Sequence, residues 1–337
     1  MAALPGTRSH FPILIKCFFE VDSSLEVLVI TGPTASGKSE LALKLAHVLN
    51  GEIISADSAQ VYRGMDIGTA KPSQAVRQRT PHHLVDIREP NQPYSAADFR
   101  TDALRIISEI KGRGRLPIVT GGTMLYLKAL KLGLAELPAA SKATRKEIEF
   151  QAEQYGWASL HEELKSIDPI SAKKIKPNDV QRLQRAIEVF RLSGMSLSDH
   201  LLKEQKSCPV KLTEIAIFPE DRSDLHKKIE DRFQKMLAAG FIDEVRRLKL
   251  RADLNSSLPA LKAVGYRQIW SYLSGDLDKQ TMISKALAST RQLAKRQLTW
   301  LRSWNDMFFV NQPDEDKVIS ILDDNKVLDN IETKFPS

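Results

Sequence analysis

Apolar positions in the first part of the chain follow two alternating patterns, one typical of buried strands and the other of amphipathic helices. Short apolar runs predict strands at Val27–Thr31, Glu52–Ser55 and Leu116–Thr120. Apolar residues that recur at helical spacing predict helices at Glu40–Leu49, Ala96–Lys111 and Met124–Leu134. Strands that alternate with helices are typical of a parallel sheet, so the predicted fold class is α/β.

The pattern changes after Pro138. From Ala139 to Glu204 the apolar spacing is helical throughout, which predicts a helical insertion. Lys211–Phe218 restores a strand, and two amphipathic segments, Ser223–Leu250 and Thr281–Trp304, predict long helices that close the chain. The predicted organisation is an N-terminal extension (1–25), the first part of the core (26–137), a helical insertion (138–204), the second part of the core with its long helices (205–312) and a polar tail (313–337).

Composition narrows the class of protein. The 337 residues are 42% hydrophobic and 27% charged, which is typical of a globular chain with a real core. The net charge of +7 favours a polyanionic partner, although a solvated basic surface explains the charge equally well. Cys17 and Cys208 lie far apart and have no CxxC neighbour, which excludes a disulfide framework and a cysteine zinc site.

The N-terminal region permits two interpretations. Residues 1–20 contain Arg8 and Lys16 but a single acid, Glu20, as a transit peptide or a short secretory segment would. A disordered extension, or an upstream start codon, is the simpler explanation. The longest apolar run, Phe11–Phe19, is interrupted by Lys16 and is too short to span a membrane. We therefore expect a cytoplasmic protein with no membrane segment, and a monomer.

A phosphate-binding motif lies between the first predicted strand and the first predicted helix. The pattern G-x-x-x-x-G-K-[ST] is matched by Gly32, Pro33, Thr34, Ala35, Ser36, Gly37, Lys38 and Ser39. The glycines let backbone N–H groups converge on phosphate oxygens, and the following helix adds the positive end of its dipole. Lys38 supplies a mobile cation and Ser39 a hydroxyl for Mg²⁺. The motif predicts a P-loop NTPase-like parallel sheet core with a helical insertion and C-terminal helices.

Nucleotide hydrolysis or kinase chemistry would also need a carboxylate at the end of a buried strand, to hold Mg²⁺ or its water. The best candidate strand, Leu116–Thr120, is followed by Gly-Gly-Thr and has no acid at its end. There is also no cluster of arginines typical of a kinase lid. The loop therefore suits a diphosphate that acts as a leaving group.

Asp57 lies two residues after the second predicted strand, beyond Ala56. At the carboxyl end of a neighbouring parallel strand it would face the same crevice as the phosphate loop. A carboxylate there can accept a proton or a hydrogen bond from an incoming amine, but Asp is equally common as a helix cap or turn residue. Ser58 and Gln60 add polar groups suited to the edge of a nucleobase.

Eight segments resemble the tRNA dimethylallyltransferase family and occur in the family's order. They are GPTASGKS (32–39), ADSAQVYRGMDIGTAKP (56–72), HHLVDI (82–87), YSAADF (94–99), GGTMLY (121–126), NDVQRLQRAIEV (178–189), VGYRQIW (264–270) and TRQLAKRQLTWLR (290–302). The resemblance extends from Val27 to Phe309. Since the chain lacks the cysteines of the zinc finger common in the eukaryotic branch, it resembles the bacterial branch.

The resemblance implies transfer of a dimethylallyl group from dimethylallyl diphosphate to N6 of the adenosine 3′-adjacent to the anticodon in tRNA, with Mg²⁺ as cofactor. It implies that Thr34–Ser39 and Arg232 bind the diphosphate, that Asp57 is the general base, and that Thr123 lies on the opposite side of the reaction channel. It also implies that the anticodon stem-loop is contacted by Asp57, Ser58, Ala59, Gln60, Gln181, Arg182, Leu183, Gln184, Arg185, Lys262, Ala263, Val264, Gly265, Tyr266 and Arg267.

Alternative functions remain open. An adenylate dimethylallyltransferase that makes a cytokinin would use the same loop and the same Asp57. A small-molecule or nucleotide kinase is opposed by the missing strand-end acid, and a nucleic-acid-binding NTPase without transfer activity is a further possibility. Arg291, Lys295 and Arg302 share one predicted helix face that would follow RNA phosphates, although a solvated helix face explains the same pattern.

Overall fold

A computed structural model describes residues 19–21, 27–203, 208–325 and 331–333. Its strands are β1 Phe19–Val21, β2 Val27–Thr31, β3 Gly51–Ser55, β4 His82–His83, β5 Leu116–Gly121, β6 Leu212–Ile217, β7 Phe308–Val310 and β8 Ile331–Thr333. Its α-helices are α1 Lys38–Val48, α2 Gln74–Arg79, α3 Ala96–Gly112, α4 Met124–Leu132, α5 Lys142–Ile167, α6 Pro169–Lys174, α7 Val180–Ser193, α8 Leu197–Leu202, α9 Arg222–Ala238, α10 Phe241–Lys249, α11 Tyr266–Leu273, α12 Lys279–Arg302 and α13 Glu315–Asp324.

A six-stranded sheet with the order β4-β3-β5-β2-β6-β7 forms the centre of the fold. All of its strand pairs are parallel, which confirms the predicted α/β class. The strands β2, β3 and β5 are buried along their whole length, which is why they appear in the sequence as continuous apolar runs. β1 and β8 form a separate antiparallel pair.

The order of the strands differs from the simplest expectation in one respect. β3 does not lie beside β2, because β5 is inserted between them, with Ile118 opposite both Leu28 and Ile53. The carboxyl ends of all three strands still lie at one edge of the sheet. The two short edge strands β4 and β7 were not predicted, since two or three residues give no usable period.

Glycines at positive φ interrupt the helical path in two segments whose apolar spacing is helical. The expected helix at Ser223–Leu250 is two helices, α9 and α10, with Gly240 at φ +95° between them. Within α5, Gly156 at φ +79° breaks the helical path. A residue with a Cβ adopts this conformation only at a cost, so glycine permits both turns.

Part of the segment predicted as a polar tail, 313–337, is helical. Residues 315–324 form α13, in which Val318 and Leu322 are buried among the core residues that also surround α1. Acidic residues surround these apolar positions in the sequence, so the segment looked polar although its apolar residues have the spacing of a short amphipathic helix. Most of the predicted N-terminal extension, and residues 326–330 and 334–337, lie outside the described residues.

The chain packs as two compact units. One contains Met1–Leu127 and Val210–Ser337, and therefore the whole parallel sheet. The other, Lys128–Pro209, is helical, with a core formed by α5, α6 and α7 that includes Ile148, Leu164 and Leu183. In the described part of the chain, no helix is long and apolar enough to cross a membrane.

Candidate active site

The phosphate loop, residues 32–39, connects β2 to α1 at the carboxyl edge of the sheet. Gly37 is the N-cap of α1 with φ +87°, and no side chain caps this helix end, so backbone N–H groups of its first turn remain available. A Cβ on Gly32 would lie 2.8 Å from Ser36 Oγ and 2.9 Å from the backbone oxygen of Ile217. The loop therefore folds tightly around donors suited to phosphate oxygens.

Two cations lie at this loop. Lys38 Nζ donates to the backbone oxygen of Pro33 at 3.1 Å, and Arg232 Nη1, from α9, donates to Thr34 Oγ1 at 3.4 Å. Burial and the neighbouring Arg232 lower the pKa of Lys38 to about 8, while Asp57 acts in the opposite direction. Burial also lowers the pKa of Arg232, again opposed by Asp57. Both cations and the Asp57 carboxylate therefore lie close enough to interact electrostatically.

Asp57 lies just beyond the end of β3 and has two kinds of oxygen. Its Oδ1 accepts from the backbone N–H groups of Ala59 at 2.8 Å and Gln60 at 3.4 Å, which is a turn-stabilising arrangement. Its Oδ2 has no hydrogen-bond partner among the residues that the structure describes. The turn interpretation and the proton-acceptor interpretation are therefore compatible, because each uses a different oxygen.

Thr123 connects the loop after β5 to the loop that contains Asp57. Its Oγ1 accepts from the backbone N–H of Ser58 at 3.0 Å and donates to Ser58 Oγ at 3.2 Å. Its backbone N–H donates to the oxygen of Ala56 at 3.2 Å. A Cβ on Gly121 would lie 2.2 Å from that same oxygen of Ala56, so glycine is required for this approach. Thr123, Ser58 and Asp57 thus lie together at the sheet edge.

The side-chain amide of Gln60 forms hydrogen bonds within the protein. Ser55 Oγ donates to Gln60 Oε1 at 3.0 Å, and Gln60 Nε2 donates to the backbone oxygen of Thr69 at 3.2 Å. Its amide therefore shapes the loop after β3, whereas Ser58, which was predicted beside it, is exposed.

Three hydroxyls at this edge fit the oxygen chemistry that Mg²⁺ prefers. Ser39 lies exposed in the first turn of α1. Ser36 Oγ and Thr120 Oγ1 are buried and have no hydrogen-bond partner in the described part of the chain. Since a buried hydroxyl without a partner is costly, these atoms suit a bound diphosphate, a hydrated cation or water.

The predicted RNA-contacting segment on α7 is heterogeneous. Gln181 and Arg182 are exposed. Leu183 is fully buried in the core of the helical unit, and the side chain of Gln184 donates to Glu149 Oε1 at 2.9 Å. Arg185 donates to Glu188 Oε2 at 2.6 Å and to the backbone oxygen of Pro138 at 2.8 Å. Leu183 thus lies in the core, and the side chains of Gln184 and Arg185 form hydrogen bonds within the protein.

The predicted segment Lys262–Arg267 is divided in the same way. Lys262 and Arg267 are exposed, Ala263 and Val264 are half-buried, and Gly265 and Tyr266 are buried. Tyr266 is 1% exposed, and its hydroxyl donates to Glu244 Oε1 at 2.5 Å. Burial and the Glu244 carboxylate raise the pKa of Tyr266 well above its ordinary value. Tyr266 is therefore a structural anchor within its segment.

Glu244 was missed by the sequence analysis. It is 2% exposed, and its carboxylate accepts from the backbone N–H groups of Asp66, Ile67 and Gly68 at 2.7–3.1 Å. The loop that follows Asp57 is thereby tied to α10 and α11. In the sequence Glu244 stands among other charged residues of an amphipathic helix, so its burial has no local signal.

Gln297 on α12 was also missed. It is 6% exposed, accepts from the backbone N–H of Thr34 at 2.8 Å, and donates from Nε2 to the backbone oxygen of Gly122 at 2.8 Å. It belongs to the segment TRQLAKRQLTWLR, in which the sequence analysis singled out the cations Arg291, Lys295 and Arg302 instead.

The three basic residues predicted to share a face of α12 have different environments. Arg291 Nη2 lies 3.5 Å from Glu230 Oε2, and the guanidinium of Arg302 lies 5.3 Å from the ring centroid of Phe218. Lys295 is exposed. Arg291 and Arg302 thus have partners within the fold.

Comparisons with known proteins agree with one another. A family model described as IPP transferase matches residues 60–304, more than half of the chain. A tRNA isopentenylpyrophosphate transferase of Bacillus halodurans is 35% identical, with a TM-score of 0.65 over 90% of this chain and 97% of that one. A tRNA isopentenylpyrophosphate transferase of Staphylococcus epidermidis is 33% identical, with a TM-score of 0.64 over 89% and 99%. A eukaryotic dimethylallyltransferase acting on tRNA is 26% identical, with a TM-score of 0.75 over 93% and 81%.

Proposed function

The chain belongs to the IPP transferase family, and on that premise we propose that it transfers a dimethylallyl group from dimethylallyl diphosphate to N6 of the adenosine 3′-adjacent to the anticodon in tRNA. The products are N6-dimethylallyladenosine and diphosphate. The proposal assigns the two substrates to different loops at one edge of the sheet.

The donor is assigned to the phosphate loop. Backbone N–H groups at the start of α1, together with Lys38 and Arg232, face the diphosphate. Negative charge grows on the leaving oxygen as the carbon–oxygen bond breaks. Preorganised cations and N–H groups stabilise that charge more in the transition state than in the ground state, which accelerates the reaction.

The acceptor is assigned to the loop after β3 and to Thr123. The lone pair of the adenine N6 attacks the allylic carbon, a carbon–nitrogen bond forms, and the carbon–oxygen bond to diphosphate breaks. The proton lost from N6 passes to Asp57, whose Oδ2 has no hydrogen-bond partner in the described residues. Oδ1 meanwhile holds the turn through Ala59 and Gln60, so the carboxylate keeps its orientation.

Mg²⁺ is assigned to the same edge. Ser39 would hold it, with the hydroxyls of Ser36 and Thr120 nearby to bind its waters or the diphosphate oxygens. When bound, the ion would add to the neutralisation of the diphosphate charge. Because β5 ends without a carboxylate, Thr120 takes the place at which a kinase of this fold would have an acid.

Recognition of tRNA is assigned to exposed cations. Arg182, Lys262, Arg267 and Lys295 are exposed, as contacts to phosphates require. The target base must leave its stack to reach the donor, and the cost is smaller in a single-stranded anticodon loop than in a duplex. A monomeric state and a cytoplasmic location remain parts of the proposal.

The observation that supports this function most directly is that the phosphate loop and the loop that contains Asp57 lie at one edge of the sheet, where Asp57 is near enough to Lys38 and Arg232 to oppose the lowering of their pKa values. A leaving group and an amine held at these two places would be adjacent, as a direct displacement requires. The test is incubation with labelled dimethylallyl diphosphate and tRNA, AMP or ATP. Label on the anticodon-adjacent adenosine of tRNA is expected. Label on AMP or ATP alone would identify a cytokinin-forming enzyme, and phosphate transfer without prenylation would identify a kinase.

A further inference from the structure

The side chain of Gln297 joins two loops that otherwise end separate strands. Its amide oxygen accepts from Thr34 in the phosphate loop, and its amide nitrogen donates to Gly122 in the loop after β5, each at 2.8 Å. Both partners are backbone groups, so these bonds fix the path of the chain itself. The amide accepts from one loop and donates to the other at the same time, which neither a carboxylate nor a thioether of this length can do.

The side chain of Gln297 is buried and closely packed against its neighbours. The residue is 6% exposed, so water competes little for either hydrogen bond. A Cβ on Gly122 would lie 2.4 Å from Gln297 Nε2, which means that the glycine leaves room for the amide. Thr34 also accepts from Arg232 through its hydroxyl. Gln297 therefore contacts the residue that connects the phosphate loop to a cation of the donor site.

The contacts continue from Gly122 to the acceptor side. The next residue, Thr123, donates from its backbone to Ala56 at 3.2 Å and binds Ser58 through its hydroxyl at 3.0 and 3.2 Å. Ala56 and Ser58 flank Asp57 in the sequence. Hydrogen bonds thus connect the phosphate loop to Gly122 through Gln297, and the next residue, Thr123, continues the connection to the loop that contains Asp57.

We propose that Gln297 is a positioning residue that sets the spacing between the diphosphate cradle and the loop that receives the nucleotide. This inference rests on the proposed function and deepens it. In this proposal Gln297 acts through the backbone of Thr34 and Gly122 and not through contact with either substrate. Its effect is on the alignment of the attacking nitrogen with the allylic carbon, and a misplacement of about 1 Å is enough to slow such a reaction about 100-fold.

The test uses two substitutions that keep the size of the side chain. Gln297→Glu still accepts from Thr34 but cannot donate to Gly122 when ionised, and Gln297→Met makes neither hydrogen bond. Gln292→Glu is the matched control, because Gln292 is exposed on the same helix and its substitution by Glu adds the same charge. Single-turnover rates, the Kd for the donor and the Kd for tRNA are measured for each protein.

The expected result is a single-turnover rate about 10- to 100-fold lower in both Gln297 variants. Donor and tRNA affinities should stay within about threefold of the parent, since a residue that only aligns substrates leaves ground-state binding intact. Gln292→Glu should match the parent. Single-turnover rates within threefold of the parent in both Gln297 variants would overturn the proposal. A loss of donor affinity as large as the loss of rate would overturn it as well, because Gln297 would then act through binding.

A second measurement does not depend on activity. Hydrogen exchange of a peptide that spans Thr34 should be faster in Gln297→Met than in the parent and in Gln292→Glu, because the Thr34 N–H loses its acceptor. Unchanged exchange would overturn the proposed link. If the parent enzyme transferred no label to tRNA, the proposed function would fail, whereas this exchange measurement would still decide whether Gln297 holds the phosphate loop.

Discussion

The carboxyl edge of the sheet and helix α7 both contribute residues to the predicted site, but their polar groups are used differently. At the sheet edge, Ser36 Oγ and Thr120 Oγ1 are buried without a partner in the described part of the chain. On α7, Arg185 reaches a fully buried carboxylate, Glu188, and that carboxylate also binds Arg145 at 2.9 Å. The first region thus contains buried hydroxyls without hydrogen-bond partners among the described residues, whereas the buried carboxylate of the second region is paired with two arginines.

The difference separates two roles that look alike in a sequence. A folded chain rarely leaves buried polar atoms without partners, so those at the sheet edge indicate a ligand, an ion or water. A buried carboxylate that receives two arginines is instead a structural unit, because its charge is already compensated. We therefore expect substitutions in the first region to affect chemistry and substitutions in the second to affect stability.

The largest expected effect is that of Asp57→Asn. Asparagine keeps the shape of the side chain but takes up no proton at neutral pH, so kcat should fall about 10²–10⁴-fold, the scale of positioned proton transfer. The KM for the donor should hardly change, because the diphosphate is assigned to a different loop. Single-turnover rates at saturating donor, with Asp57→Ala alongside, measure the effect. A rate for Asp57→Asn within threefold of the parent would remove the general base and leave a positioning role.

Lys38→Ala should come next, with turnover reduced about 10²–10³-fold and tRNA affinity nearly unchanged, because the proposal assigns the ammonium to the leaving group. The pKa of about 8 adds a pH signature. Lys38 is charged below that pH and neutral above it, so donor binding above pH 8 should take up a proton and become weaker. Calorimetry in buffers of different ionisation enthalpy detects the uptake, which Lys38→Ala should lack.

The features of the fold that depend on local pattern were predictable from the sequence. Val27–Thr31 and Leu116–Thr120 are continuous apolar runs, and each is a fully buried strand. The order of the strands is not local, since nothing in the period of β3 shows that β5 separates it from β2. The break at Gly240 was also missed, because apolar spacing continues through the glycine.

The site was predictable to the extent that motifs define it. The phosphate loop, Asp57 and Thr123 follow strand ends, where parallel strands gather functional groups. The partners of Tyr266 and Gln297 were not predictable. Gln297 binds a residue 263 positions away, and Tyr266 binds Glu244, 22 positions away and on another helix. Burial of a polar side chain depends on such distant partners, which a single sequence does not show.

Glu188→Gln should affect stability without removing chemistry. Burial alone would raise the pKa of Glu188, but hydrogen bonds from Arg145 and Arg185 outweigh burial and hold the pKa below its ordinary value. The stabilisation is therefore present above the ordinary pKa and is lost as the pH falls through the depressed one. Since both arginines remain partly exposed, we expect a loss of about 2 kcal/mol rather than the larger cost of a fully buried pair.

Thermal unfolding as a function of pH tests this expectation for Glu188. The parent and Glu188→Gln should differ clearly at neutral pH and converge in acid, while their single-turnover rates at a permissive temperature stay within about threefold, since this carboxylate is paired within the helical unit and has no part in the proposed proton transfer. A difference in stability that grows toward acid would contradict the sign derived from the lowered pKa.

The smallest expected effect distinguishes two arginines on the same helix. Arg182 is exposed, and its ion pair with Asp179 at 3.5 Å is a surface contact that contributes little to stability. Arg182→Ala should weaken tRNA binding a few-fold, and the slope of log Kd against log salt should fall by about 1 if the side chain meets one phosphate.

Arg185→Ala, in contrast, leaves Glu188 with one arginine fewer, so it should lower the melting temperature. Its own effect on the salt slope should be close to zero, because its guanidinium already binds Glu188 and Pro138. Filter binding across a salt series, with melting temperatures of the same preparations, separates the two. A reduced salt slope in Arg185→Ala, without loss of stability, would show that α7 exchanges internal partners for RNA, and the contrast between the two regions would then hold only for the free protein.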